Sequence, residues 1–396
     1  MTAVITGLGV VAPTGTGADD HWAATLAGKS GIVPISRFDA APYPVRCAGE
    51  VPDDRVAGQV PGRLVTQTDR WTQLALAGTE LALRDAGVDP ADLPEYDMAV
   101  QTASSSGGNE FGQREIERLW SRGPEYVGVY QSIAWFYAAT TGQLSIRHGM
   151  RGPCGVVVTE QAGGLDSAAQ ARRVLRQGTR LVVTGGTEAP LSPYALLCQT
   201  ATGRLSAHED PARAYLPFDR TASGYVPGEG GAILIMEPAA AARNPYAVFA
   251  GHASTFDAAG PGLARAVRLA LADAGLRPEQ IDVVFADAAG SPDLDRAEAE
   301  VIAGIFGPRG VPVTAPKSMT GRLYAGGSAL DLATACLSLR HQVLPPTLGS
   351  GSAVPGLDLV HTARDARVRA ALVLARGHGG FNSAVVLVHP EGAAHG

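Results

Sequence analysis

The sequence predicts an α/β protein made of two copies of one strand-and-helix unit, and three observations carry that prediction. First, segments recur in the same order along the chain: Ala3-Val4-Ile5-Thr6-Gly7 with Ala247-Val248-Phe249-Ala250-Gly251, Ala82 to Leu93 with Ala270 to Ile281, Met98 to Ala103 with Val283 to Ala288, and Leu181 to Gly186 with Ala371 to Arg376. One such match would be no surprise, but four in a single order imply duplication. Second, each copy joins a helix, a glycine stop, a short loop containing proline and then a strand. Third, Val156-Val157-Val158-Thr159 reads as a buried β-branched strand that stops at Glu160-Gln161, passes Ala162-Gly163-Gly164 and enters an alanine- and arginine-rich helix over Asp166 to Arg176.

The chain opens with a strand, Ala3 to Gly7, followed by a glycine-rich loop over Gly9 to Gly15. A dinucleotide-binding turn is not expected there, because Pro13 and Gly15 interrupt the helix that should follow. Trp22 to Leu26 reads as a short helix, and Gly28 to Arg63 as an irregular, proline-rich surface excursion. From Thr68 to Ala86, Trp71, Leu74, Leu76, Leu81 and Leu83 return at helical spacing, and Gly87 marks the stop. Met98 to Ala103 is the next strand. The first copy, residues 1–245, is larger than the second, residues 246–396, and its extra length lies in the connections, where function is commonly carried. The join is placed near Glu237 to Pro245.

With 396 residues, 45% of them hydrophobic and 18% charged, the chain can bury a large core. A formal charge of −6 gives no footprint for nucleic acid or an anionic membrane. Lys29 and Lys317 are the only lysines. The cysteines Cys47, Cys154, Cys198 and Cys336 are widely spaced, so neither a disulfide framework nor a metal site is signalled, and Cys154 is expected to be buried as a small hydrophobe. His148, His341 and His378 have no metal spacing. The N-terminus enters a strand without a basic leader, and no apolar run reaches membrane-spanning length, so a cytoplasmic protein is expected.

A strand, sharp turn and helix in succession hold the central side chain of the turn over a helix N-terminus, where backbone N–H groups stabilise a nucleophile or an oxyanion. Cys or Ser belongs there. The residue present is Gln161, a neutral amide without useful nucleophilicity.

Several strings together resemble the β-ketoacyl synthases of the thiolase fold: Thr141 to Gly149 with Gly152-Pro153, Pro217-Phe218-Asp219-Arg220, Gly228-Glu229-Gly230-Gly231, and Gly377-His378-Gly379-Gly380-Phe381-Asn382-Ser383. The resemblance covers nearly the whole chain and implies two duplicated αβαβα halves in a five-layered arrangement. An active member uses a Cys, two His and a Lys. Here Gln161 stands at the Cys position, and Asp287, in Phe285-Ala286-Asp287-Ala288, takes the place of the first His, a register fixed by Asp295-Arg296-Ala297-Glu298. Lys317 is kept in Lys317-Ser318-Met319-Thr320-Gly321-Arg322, where Arg322 replaces the second His.

Three changes among four chemical positions, with Thr159 to Asp166 and Gly321 to Gly327, resemble the chain length factors of bacterial aromatic polyketide synthases. That resemblance implies no catalysis, no cofactor, pairing with an active ketosynthase as a heterodimer, and contact with an acyl carrier protein. The alternative is a malonyl-carrier-protein decarboxylase acting through the Gln161 elbow, so whether the chain is an enzyme by itself stays open. Decarboxylation leaves an enolate that needs hydrogen-bond donors, and Asp287 brings negative charge instead. Asp287 and Arg322 are read as a buried ion pair, the plain alternative being two residues solvated separately at a pocket edge. Lys317 is read as structural.

By the same resemblance, the helix that carries Asn109, Gly112 and Ile116 on one face, at i, i+3 and i+7, walls the substrate tunnel. A glycine there leaves room, and the small set predicts a longer product over a shorter one. His378 and Phe381 lie in the loop that borders the pocket. Tyr130 to Tyr137 has the composition of core but, by resemblance, lies at the dimer interface, and an acidic carrier protein calls for arginines at the pocket mouth.

Overall fold

The computed structural model of the chain describes residues 1–257, 260–349 and 354–391. The principal elements of the first half are β1 (Ala3–Ala12), α1 (Arg70–Ala86), β2 (Met98–Ala103), α2 (Asn109–Arg122), β3 (Cys154–Val157), α3 (Gly163–Arg176), β4 (Leu181–Glu188) and β5 (Gly230–Pro238), with further helices at Ala18–Leu26, Ala139–His148 and Pro193–Thr200. The second runs β6 (Ala247–Phe256), α4 (Gly262–Ala274), β7 (Val283–Phe285), α5 (Pro292–Phe306), β8 (Pro312–Thr314), α6 (Ala325–His341), β9 (Ala370–Gly377) and β10 (Phe381–Val388). The strand order is β3-β2-β4-β5-β1 in one sheet and β8-β7-β9-β10-β6 in the other. Apart from two two-residue strands, Gly15–Thr16 beside β1 and Asp358–Leu359 beside β8, these are strand for strand the same topology, as duplication requires. The sheets join at β1 and β6, where Val4 lies opposite Val248. Those two residues hold the same place in the recurring segments, so a pseudo-twofold axis passes between them.

Helix α1 covers the outer face of the first sheet, α4 and α5 that of the second, and α3 and α6 pack on one another between the sheets. The five layers follow from this arrangement. Every residue of α6 from Ala325 to Leu339 is buried, which suits a helix built mainly of small and apolar residues, with Asp331 as its one buried charge. Close packing of the central pair depends on Gly164, where a Cβ would collide with the amide nitrogen of Ala329. The anticipated glycine stops are left-handed caps, Gly87 at φ 66° and Gly275 at φ 67°. At the other end of α1, the Asp69 carboxylate accepts from Trp71 N and also from Phe111 N, tying the start of α1 to the start of α2.

Some local expectations are corrected. Strand β1 continues to Ala12, so the first part of the glycine-rich stretch is strand and not loop. Its glycines serve close approach: a Cβ on Gly9 would run into the carbonyl of Gly78 in α1. Strand β3 is half-buried, because it pairs with β2 and, among the described residues, with no second strand. Cys154 is therefore exposed, not buried. Helix α3 starts at Gly163, as a direct continuation of the 3₁₀ turn Glu160–Ala162. The excursion 28–63 contains a small ribbon, Ile32–Pro34 with Cys47–Gly49, and buries Val45, Ala48 and Val51. Among the described residues, no helix is long and apolar enough to cross a membrane.

Candidate functional site

Strand ends and loops of both halves open onto a cavity of about 830 Å³. Its wall includes Glu160 from the elbow, Asp287 after β7, Arg322 before α6, Arg376 at the end of β9, His378 from the following loop, Phe381 at the start of β10, and Asn109 at the start of α2. The sequence-derived site residues thus converge from distant parts of the chain. Gln161, Lys317, Gly112 and Ile116 do not line the cavity. Gln161 is the most telling of these. It lies beneath the cavity wall with no exposed surface, and neither its amide oxygen nor its nitrogen finds a hydrogen-bond partner among the described residues. Its Nε2 rests on Gly327 of α6, where a Cβ would sit 2.5 Å away. An amide in this position offers neither a nucleophile nor a proton relay.

Asp287 and Arg322 form the expected ion pair. Arg322 Nη2 lies 3.1 Å from Asp287 Oδ1, and Nη1 donates to the Asp287 carbonyl at 2.9 Å. A third partner was not foreseen: Arg376 donates its backbone N–H to Asp287 Oδ1 at 2.9 Å and its Nε to Oδ2 at 3.3 Å. Arg376 also reaches Glu298 Oε2 at 3.3 Å. Glu298 in turn accepts from the backbone N–H groups of Asp287 and Ala288, at 2.8 and 2.9 Å. Its neighbour on α5, Asp295, holds Phe218 N and Gly290 N at 2.8 and 3.0 Å. The motif that fixed the register of Asp287 is therefore also its scaffold. Burial opposes ionisation of Asp287, but Arg322, Arg376 and Lys317 outweigh it and hold the carboxyl down at about 2.

Lys317 is buried with its ammonium 2.7 Å from Asp331 Oδ2, a close ion pair that is not aligned as a directional hydrogen bond. The pairing supports its structural reading. His378 donates its backbone N–H to Glu160, and the Phe381 ring stands edge-on to Phe256 with centroids 5.1 Å apart. Backbone strain gathers at this site: Glu160, Ala288 and Tyr324 have φ of 52°, 49° and 48°. Each costs about 1–3 kcal/mol and persists because its surroundings fix it. Chemically, the cavity presents charges that neutralise one another and no nucleophile at the elbow. Among the described residues, no group of three His, Cys, Asp or Glu side chains is placed to hold a metal ion.

Of the proposed tunnel residues, Asn109 borders the cavity. Gly112 is buried against the segment carrying Gln131 and Trp135, and Ile116 is 49% exposed on the outer surface. Around Ile116 lies apolar surface that the core reading of Tyr130 to Tyr137 does not predict: Val129 is 81% exposed, and Ile133, Trp135, Phe136 and Tyr137 are all exposed. Trp120 of α2 is exposed on the same helix as Ile116. An accumulation of large apolar side chains of this kind marks a protein interface.

Residues 2–242 match the β-ketoacyl synthase N-terminal domain, and residues 241–350 match its C-terminal domain. The chain belongs to the β-ketoacyl synthase family. It is 60% identical to the tetracenomycin polyketide synthase ketoacyl synthase beta subunit of Streptomyces glaucescens, over 97% of each chain. Among solved structures it is similar to the ishigamide ketosynthase/chain length factor, with a TM-score of 0.90 and 29% identity over 98% of each chain. It is also similar to a type II polyketide synthase acyl-carrier protein complex with its ketosynthase bound to the hexaketide, with a TM-score of 0.88 and 26% identity over 98% of each chain. The fold is thus thiolase-like, and within the family the chain stands with the beta subunits of type II polyketide synthases.

Proposed function

We propose that this chain performs no condensation of its own: it pairs with an active ketosynthase and contributes one wall of the tunnel that sets polyketide chain length. The observation that carries this reading is the coordinated replacement at the site, with a buried amide at Gln161 that has no partner among the described residues and the Asp287–Arg322 pair where acid-base groups belong. The same pair counts against decarboxylation, since a developing enolate needs free hydrogen-bond donors and the Arg322 and Arg376 donors are engaged by Asp287. The exposed apolar surface around Phe136 is the proposed face for the ketosynthase, and an acyl carrier protein is the proposed carrier of the growing chain.

The test compares the purified chain with the chain co-expressed beside a type II ketosynthase, each supplied with malonyl-loaded carrier protein. Polyketide is expected from the pair alone, with no carbon dioxide released by the single chain. Turnover by the single chain would favour the decarboxylase, and failure to form the pair would remove the proposal.

A further inference from the structure

The elbow holds an arrangement that the missing nucleophile does not explain. Glu160 Oε2 accepts two backbone N–H groups at once, from Gln161 at 2.7 Å and from His378 at 2.9 Å. These donors come from separate segments, the elbow and the loop after β9, and they converge on a single oxygen. Two main-chain donors meeting at this distance on one point at a cavity wall are what stabilises a carbonyl oxygen that gains negative charge. The segments are seated tightly together: a Cβ on Gly377 would come 2.5 Å from the carbonyl oxygen of Thr159. To reach the point from the adjacent position, Glu160 adopts the left-handed backbone region, at φ 52°. That conformation is unfavourable for Glu, and the two hydrogen bonds to its carboxylate offset the cost.

We propose that Glu160 is a plug: its side-chain oxygen occupies the point where the Gln161 and His378 amides converge, a point suited to a thioester carbonyl oxygen. The plug shuts out acyl carbonyls independently of the absent nucleophile. It deepens the non-catalytic reading of the site, but as an intramolecular contact it does not depend on pairing with a ketosynthase. Either can therefore fail while the other stands.

The experiment installs a thiol and asks whether removing the plug lets it be acylated. Full-length Gln161→Cys, Glu160→Gly/Gln161→Cys and Glu160→Gln/Gln161→Cys chains are treated in parallel with acetyl-N-acetylcysteamine and with iodoacetamide. In the first reaction the introduced sulfur attacks the thioester carbonyl and forms a new C–S bond. The old C–S bond breaks, and N-acetylcysteamine leaves with the thiol proton. Alkylation builds no oxyanion, so it reports thiol access and ionisation alone. Both adducts are assigned to residue 161 itself by fragmentation of its peptide, because the exposed Cys154 lies on the same tryptic peptide and Cys198 lines the same cavity.

With Glu160→Gly the ratio of acylation to alkylation is expected to rise about tenfold or more over Gln161→Cys, a modest share of what one oxyanion donor contributes. With Glu160→Gln it is expected to stay low, since the amide oxygen fills the same point without charge. Equal ratios in all three chains overturn the plug. So does a Gln variant that behaves like the Gly variant, which would reduce the effect to charge. Glycine suits the left-handed backbone, and Glu160→Asn, which tolerates it and is too short to reach both amides, serves as a second opening variant.

Discussion

Arg322 grips Asp287 from two sides, with Nη2 3.1 Å from Oδ1 and Nη1 2.9 Å from the main-chain carbonyl of the same residue. Both side chains are buried, so removing one partner strands the other. Arg322→Ala is expected to lose about 3–5 kcal/mol, toward the lower end because Arg376 still contacts Asp287. Urea unfolding measures this directly. Coupling is expected too: Asp287→Asn combined with Arg322→Leu should cost less than the sum of the single changes. Strict additivity would show that the pair is not a unit.

The same carboxylate sets the acid limb of stability, and Glu188 sets the opposite limb. Asp287 is held at about 2 in the fold, below its ordinary value, so its contribution is present above that ordinary value and disappears as pH falls toward 2. Glu188 is pushed up to about 8 by burial, against hydrogen bonds from Ser105 and Ser106. Its contribution is complete below the usual glutamate range and is lost as pH rises through 8. Glu188→Gln should flatten the decline in melting temperature between mildly acidic and mildly alkaline pH. Asp69 and Asp295, each raised to about 7 by burial, leave a residual slope. An unchanged profile would mean that Glu188 does not titrate in this window.

Glycine substitutions in the central layer should separate by what the added carbon meets. At Gly164 a methyl group runs into the backbone of α6, which cannot yield without moving the helix. At Gly327 it meets the end of the Gln161 side chain, which can rotate. Gly164→Ala is expected to cost at least the roughly 1–3 kcal/mol typical of overpacking, and Gly327→Ala clearly less. Thermal melts of the two variants rank them, and a reversed order would contradict the packing described.

The duplication was readable because its signals are local: glycine stops such as Gly87 and Gly275, and apolar strands such as Met98 to Ala103. Asp287, Lys317 and Arg322 were located through their flanking motifs, and their opposite charges were enough to anticipate the pair. Arg376 was missed, although an arginine closing an otherwise apolar strand was a usable signal. Glu160 was missed for a different reason: its role depends on φ and on a loop more than 200 residues away, neither of which spacing encodes. Cys154 was misjudged because a β-branched run looks the same in a central strand and in an edge strand.

The apolar surface gives a prediction about pairing. Phe136 is 51% exposed in the single chain, so Phe136→Ala should leave the melting temperature of that chain nearly unchanged. If the face binds a ketosynthase, an aromatic anchor at its centre is worth about 2 kcal/mol, or roughly thirtyfold in Kd. Sedimentation of the pair measures it. Unaltered affinity for this variant, and for Trp135→Ala, would move the interface elsewhere.

Chain length should respond to residues according to where they sit. Asn109 already borders the cavity, so Asn109→Trp fills space inside it and is expected to shorten the polyketide made by the co-expressed pair. Gly112 faces Trp135, whose Cβ would lie 3.9 Å from an added Cβ, an ordinary contact. Gly112→Ala should therefore fold normally and leave the product unchanged. A phenyl ring cannot be accommodated so simply: Gly112→Phe must displace Gln131 and Trp135 or project toward the partner, and in the second case it narrows a tunnel that exists only in the pair. Mass spectrometry of the products separates these outcomes. Shortening by Asn109→Trp alone would confine the tunnel to this chain's own cavity, shortening by both would extend it to the α2 face, and shortening by neither would remove α2 from the wall altogether.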